Sequence, residues 1–201
     1  MSAPAGRRET GGGLQVQRAD ARANRVRILD VAEEVFGKGG ESASTEEVAR
    51  LAGVGIATVF RHFPTKAALL EAVLARRFDR LREQAEALLS APDPGEAFRS
   101  FFGYLVADAP AKIGIAEALL DAGGNDDGEA AQASAGLRRA FDALLQRAKQ
   151  AGVVRGDAEL PEVYTLLVGV SRAAALEHLD EEARARVLTI VFDGLAPRLR
   201  T

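Results

Sequence analysis

The chain has 201 residues, 47% of them hydrophobic and 27% charged, with no cysteine and a formal net charge of −3. That length supports one large or two small domains with a packed core. Disulfides, cysteine-ligated metals and a cysteine nucleophile are excluded, no run of about 18 apolar residues offers a membrane span, and the polar N-terminus lacks the apolar stretch of a secretory leader.

Residues 1–19 are expected to form a disordered arm, because "TGGGLQ" holds a helix only at a cost. From about Asp20 the pattern turns helical, with Ile28, Val31, Ala32, Val35 and Phe36 on one stripe. Gly39-Gly40 stop that helix. Ser44-Thr45-Glu46-Glu47 spells a capping box, in which the Ser44 hydroxyl takes the Glu47 amide and Glu47 reaches back. A short helix, "TEEVARLA", follows and breaks at Gly53. A third, over about 55–61, stops near Pro64. A long helix is predicted from about Thr65 to Ser90, and "APDPG" punctuates its end. Two helices, 95–109 and 111–122, are expected on either side of Pro110. "GGNDDG" at 123–128 is the clearest loop. Helices over about 129–151, 160–178 and 181–195 complete the chain. No strand-like alternation competes, so the fold class is all-α.

Charge is unevenly spread. Residues 1–80 hold 13 basic and 10 acidic side chains, whereas residues 81–201 hold 13 and 19. The field at a local surface matters more than the total, so the first third is the part suited to a polyanion. It also holds the chemistry-bearing stretch, "GVGIATVFRHFPTK" at 53–66. Two short helices meeting at a glycine turn make a helix-turn-helix, whose second helix enters a DNA major groove. The spacing lets Val48, Leu51 and Ala52 face Val54, Val59 and Phe63. Thr58 and His62 then lie to one side, and Ile56 and Phe60 to another.

Across residues 25–74 the sequence resembles the TetR family of bacterial transcriptional regulators. The resemblance is carried by "ILDVAEEVFGKGG" and by "STEEVARLAGVGIATVFRHFPTKAALLEAVL". It implies a DNA-binding domain over residues 20–66 and a helical effector-binding and dimerisation domain over 67–201. By the same resemblance Ser44 and Thr45 take phosphate or capping roles. Gly55, Ile56, Ala57 and Thr58 form the N-terminal half of the recognition helix. Phe60, His62 and Lys66 match residues that lie against the DNA backbone in relatives, while Arg61 turns either to the backbone or to its own domain. The chain departs from the family pattern at Gly55 (commonly serine), Phe60 (often tyrosine) and Ile56 (frequently polar). Those changes favour apolar contact with thymine methyl groups over polar base readout. Arg18, Arg22, Arg25 and Arg27 are expected to add phosphate or minor-groove contacts from the arm.

The C-terminal half offers a stripe of aromatic and aliphatic residues that is chiefly core. An apolar pocket between helices with a few polar anchors would hold an effector. Phe102, Tyr104, Phe141, Tyr164, Ser171 and Arg172 are the predicted ligand residues. The last two helices, apolar on more than one face and rich in Gly and Ala, fit a four-helix homodimer interface. His62 and His178 stand far apart, so no metal or cofactor is expected. Asp126, Asp127 and Glu129 fit a solvated loop beside a helix start. Ser171 and His178 lack a nucleophile-elbow motif, which argues against an enzyme. The expected protein is a cytoplasmic homodimeric repressor that binds a palindromic double-stranded DNA operator and releases it on binding a small apolar effector. The alternatives are an adaptor-like helical dimer with weak non-specific DNA binding, or a small helical enzyme.

Overall fold

A computed structural model describes residues 11–38, 43–124 and 128–198. Among them are eight α-helices and no strand: α1 (Gly11–Lys38), α2 (Thr45–Leu51), α3 (Ile56–His62), α4 (Lys66–Leu88), α5 (Pro94–Asp121), α6 (Glu129–Gln150), α7 (Leu160–Leu176) and α8 (Glu181–Leu195). None is long and apolar enough to cross a membrane.

Two elements differ from the sequence reading. Helix α1 begins at Gly11, so residues 11–19 are helical, not an arm; the remainder of the expected arm, residues 1–10, lies outside the described residues. The physical reason is propagation. Once Ile28, Ala32 and Phe36 anchor the packed half, each further residue adds a hydrogen bond without a new nucleus. Leu, Gln, Arg and Ala among residues 14–23 are good helix formers and offset the three glycines. The second difference is at Pro110, which sits inside one continuous helix, α5. Proline removes one backbone bond and crowds the preceding turn, at about 3 kcal/mol. Leu105, Val106, Ala109 and Ile115 on either side of it are all buried. At about 1.5–3 kcal/mol for each large side chain, that burial outweighs the break. Gly39-Gly40 and the Asp126-Asp127 part of the predicted loop lie outside the described residues.

Helix ends are set by local chemistry. Ser44 accepts the Glu47 amide at 3.1 Å, Thr65 accepts that of Ala68 at 3.0 Å, and Asp93 accepts those of Gly95 and Glu96 at 2.8 and 2.9 Å. The capping box is only half formed, since Glu47 pairs with Arg50 at 3.4 Å instead of reaching back. Helix α6 takes its cap from another element: the Glu71 carboxylate of α4 accepts the Glu129 amide at 2.8 Å. A Cβ on Gly128 would fall 1.5 Å from that carboxylate, so a larger residue there would push Glu71 out of its capping position.

The buried side chains form two clusters. The first joins Ile28, Ala32 and Phe36 of α1 to Val48, Ala52, Val59 and Phe63, and continues through Leu69, Leu70, Val73 and Leu74 of α4 to Ile115 and Leu119 of α5. The second gathers Phe98, Phe101, Phe102, Leu105, Phe141 and Leu144 with residues of α7 and α8. Its centre is aromatic. The Phe102 and Phe192 rings meet edge to face at 5.5 Å, and Phe98 and Phe141 lie 5.7 Å apart, spacings that add to plain burial. Helix α4 belongs to both clusters, and Phe78 packs against each.

Candidate nucleic-acid interface and internal cavity

Helices α2 and α3 are joined by Gly53, whose φ of +66° places it in the left-handed region that glycine adopts without steric cost. The turn closes with the Val54 amide bonded to the Ala49 carbonyl at 3.0 Å. Val48, Ala52, Val59 and Phe63 then bury against α1 as the spacing predicted, but Leu51 is exposed and not part of this core. Two residues after the inward Ala49, and so about 200° around the helix from it, its position falls on the solvent arc.

Helix α3 presents its outer face to solvent. Gly55, Ile56, Ala57, Phe60 and Arg61 are exposed, and Thr58 and His62 are half-buried at the edge of the same face. Gly55 is the N-cap and supplies no side-chain hydrogen bond. Three predicted DNA residues sit differently. Thr45 is buried on the side of α2 that carries Val48, which leaves its side chain little surface from which to meet a phosphate. Lys66 reaches back over the Phe36 ring at 5.3 Å and donates to the Ala43 carbonyl at 3.5 Å, while keeping an exposed flank. Arg25 stacks over the Phe63 ring at 4.7 Å, with one guanidinium nitrogen buried, and so is a packing residue of the first core. Arg18, Arg22 and Arg27 remain exposed along α1.

The joint between the two halves is ionic. Arg77 of α4 donates to Glu33 of α1 at 2.5 Å and through Nε to Asp108 of α5 at 3.1 Å, with a second nitrogen also on Asp108. Arg80 shares Glu33. Burial disfavours the Arg77 charge, but its bonds to Asp108 and the charges of Asp108 and Glu33 more than compensate, so its pKa lies above the ordinary arginine value. Sequence reading missed this triad. Three charged residues spread over 76 positions carry no local pattern.

Between α4, α5, α6 and α7 lies a cavity of about 210 Å³. Its apolar wall includes Phe78, Leu105, Ile113, Leu137, Phe141 and Leu167, and its polar groups are Lys112, Ser134, Arg138, Tyr164, Ser171 and Arg172. Four of the six predicted ligand residues, Phe141, Tyr164, Ser171 and Arg172, line it. Phe102 does not, being fully buried in the aromatic core, and Tyr104 does not, being exposed elsewhere on α5. At helical spacing an aromatic stripe cannot reveal which members face a void and which face each other. Lys112 and Arg138 were missed for a related reason, since a cation on a helix normally reads as a solvated one. A larger recess of about 680 Å³ between α4 and α6 is walled by charges that pair among themselves, such as Arg82 with Glu86 at 2.8 Å. It is an open polar groove, and the smaller, more apolar cavity is the better ligand site.

A glycine-turned helix pair with an outward recognition face, carried on a helical bundle with an internal cavity, defines a helix-turn-helix transcriptional regulator. Comparison with known proteins agrees along the chain. Residues 28–73 match the family described as bacterial regulatory proteins, tetR family, and residues 93–197 match the SbtR-like transcriptional regulator C-terminal domain. A TetR transcription regulatory protein from Mycobacterium vanbaalenii is 38% identical with a TM-score of 0.72, over 90% of this chain and 99% of that one. A TetR transcriptional regulator from Streptomyces coelicolor is 34% identical with a TM-score of 0.69, over 87% and 99%. The transcriptional repressor KstR of Mycolicibacterium smegmatis is 30% identical over 133 residues, which is 65% of this chain and 65% of that protein. The chain thus spans just under two thirds of that curated relative's length. The chain belongs to the TetR family, which places it among transcriptional regulators and not among enzymes.

Proposed function

We propose that the chain is a homodimeric, ligand-responsive repressor acting on a palindromic operator in the cytoplasm. The observation that carries this is the continuity from α3 into α4: the helix that leaves the recognition face at Lys66 goes on to form a wall of the cavity at Phe78. Gly55, Ile56, Ala57 and Thr58 approach the base edges. Ser44, Phe60, Arg61 and His62 lie where phosphates pass, and the exposed flank of Lys66 joins them. Thr45 belongs to the core and is left out of this surface. Each subunit would set one α3 in a major groove, with half-sites about 34–36 Å apart or a multiple of that spacing.

The dimer face in this reading is a strip on α7 and α8. Leu166, Gly169, Ala173 and Leu176 fall on one exposed side of α7, and Ile190 stands out from α8. Side chains as small as Gly169 and Ala173 allow two such helices to approach closely. An effector in the cavity would favour a conformer in which α4 carries the two recognition helices to the wrong separation, provided it binds the two conformers unequally. The test is retardation of the chain's own upstream DNA, with a Thr58→Ala, Arg61→Ala double variant as control. Specific retardation lost in the variant supports the repressor. Retardation that falls steeply with salt and shows no preference among sequences supports the second reading, an adaptor-like dimer with non-specific DNA binding. The exposed Ile56 and Phe60 keep that second reading in play, because an apolar face reads bases with less selectivity than a polar one.

A further inference from the structure

Four features of the cavity are unusual together. Three cations, Lys112, Arg138 and Arg172, line it, and no carboxylate does. Lys112 is half-buried and, among the described residues, makes no side-chain hydrogen bond or ion pair within 4 Å, its Nζ keeping some contact with solvent. Arg138, in contrast, is stacked over the Tyr164 ring at 4.6 Å. Ser171 is buried on the cavity wall with its hydroxyl engaged in no hydrogen bond to the described residues. A half-buried ammonium beside an apolar wall, whose nearest carboxylate, Asp108, is already bonded to Arg77, is costly to keep charged there. Burial pushes the Lys112 pKa down; the Asp108 charge opposes it in part, and the neighbouring Arg77 charge adds a smaller push downward. Such a site gains most from a ligand that brings the missing negative charge.

We propose that the cavity takes a compact organic carboxylate, its anionic end on Lys112 and Ser171 with Arg138 and Arg172 at the rim, and its apolar body against Phe78 and Phe141. This rests on the effector-responsive reading above and specifies the chemistry of the effector. The volume, equal to about seven waters at roughly 30 Å³ each, fits a single ring or a short acyl chain and not a drug-sized molecule. The anion also has a route to the DNA-binding half. Lys112 lies one helical turn beyond Asp108 on α5, and Asp108 is the acceptor of Arg77, which holds Glu33 of α1. A second carboxylate beside Lys112 competes with Asp108 for these cations and loosens the joint between α1, α4 and α5.

The test uses the full chain with benzoate and hexanoate against their neutral amides, benzamide and hexanamide. Binding is followed by calorimetry, and release of the retarded upstream DNA is followed in parallel. The expected result is carboxylate binding that exceeds amide binding, with release of DNA. Lys112→Met should cut carboxylate affinity about tenfold to hundredfold, the usual worth of a hydrogen bond to a charged group. Lys112→Arg should restore most of it, and circular dichroism should show the Met variant folded. Amides that bind as well as the acids and still release DNA overturn the carboxylate inference and leave the effector reading standing. Failure of both series to bind at millimolar concentration overturns the carboxylate inference, whereas loss of specific DNA retardation without any ligand is what would overturn the repressor reading itself.

Discussion

Replacing Arg77 by methionine tests the ionic joint most directly. The side chains of Arg77 and Glu33 are each 14% exposed and that of Asp108 is 9% exposed. Removing one partner of a buried pair leaves an uncompensated charge, which costs about 3–5 kcal/mol. Glu33 keeps Arg80 as a second partner, so the loss belongs at the lower end, about 3 kcal/mol. Against a typical stability of about 5–15 kcal/mol this is large. With a urea m-value of about 2 kcal/mol/M, the unfolding midpoint should fall by about 1.5 M. Protein concentration must be fixed, because the proposed dimerisation would contribute to apparent stability. Arg186→Met, which breaks an exposed pair with Glu182, is the control and should cost about 0.5 kcal/mol or less. Adding Asp108→Leu to Arg77→Met should recover part of the loss by removing the orphaned charge. A midpoint shift no larger than that of the control would refute the argument.

Three other predictions concern different parts of the molecule. Gly53→Ala should destabilise by about 1–2 kcal/mol, because an L-residue is forced left-handed at the turn, and a thermal melt with parallel DNA retardation would show both losses. Leu176→Glu with Ile190→Glu, on side chains 77% and 72% exposed, should convert a dimer to the 21.3 kDa species of one chain in light scattering; retention of the dimer would move the interface elsewhere. Asp157, hydrogen-bonded by Arg155 through two contacts of 2.6 Å, has its pKa lowered from 3.8 to about 2, the Arg155 bond and then its charge outweighing the opposing desolvation. A carboxylate lowered in the folded state stabilises above its ordinary value and loses that contribution as pH falls toward about 2. Arg155→Gln should therefore shift acid unfolding to slightly higher pH, read by circular dichroism between about pH 4 and 2.

Local chemistry was the legible part of this sequence. The Ser44 cap, the Gly53 turn and the inward Val59 and Phe63 are decided by neighbours within four residues, and their places follow from spacing alone. The all-α class followed for the same reason. Pro110 and Gly11 were misread because a tertiary wall, or a helix already nucleated, overrides a residue's own preference. Thr45 and Lys66 show the limit for the DNA face. Each has the chemistry to touch a phosphate, yet one faces inward and the other is drawn toward Phe36. The cavity was half legible. Tyr164, Ser171 and Arg172 stood out as polar residues on an apolar helix, whereas Lys112 and Arg138 gained meaning only when four helices converged on them.

The sharing of α4 between two cores has a consequence for dissecting the protein. A fragment cut after residue 66 would keep the recognition helix but strip Leu69, Leu70, Val73 and Leu74 from beneath it. At about 1.5–3 kcal/mol per buried side chain, that removes as much as a small domain has to spend. The reading head is therefore not a portable module that can be grafted onto another protein. Its minimal transplantable unit extends through Ala75 and needs an apolar surface to replace Ile115 and Leu119, so any chimera must carry over that seam as well as the helix-turn-helix.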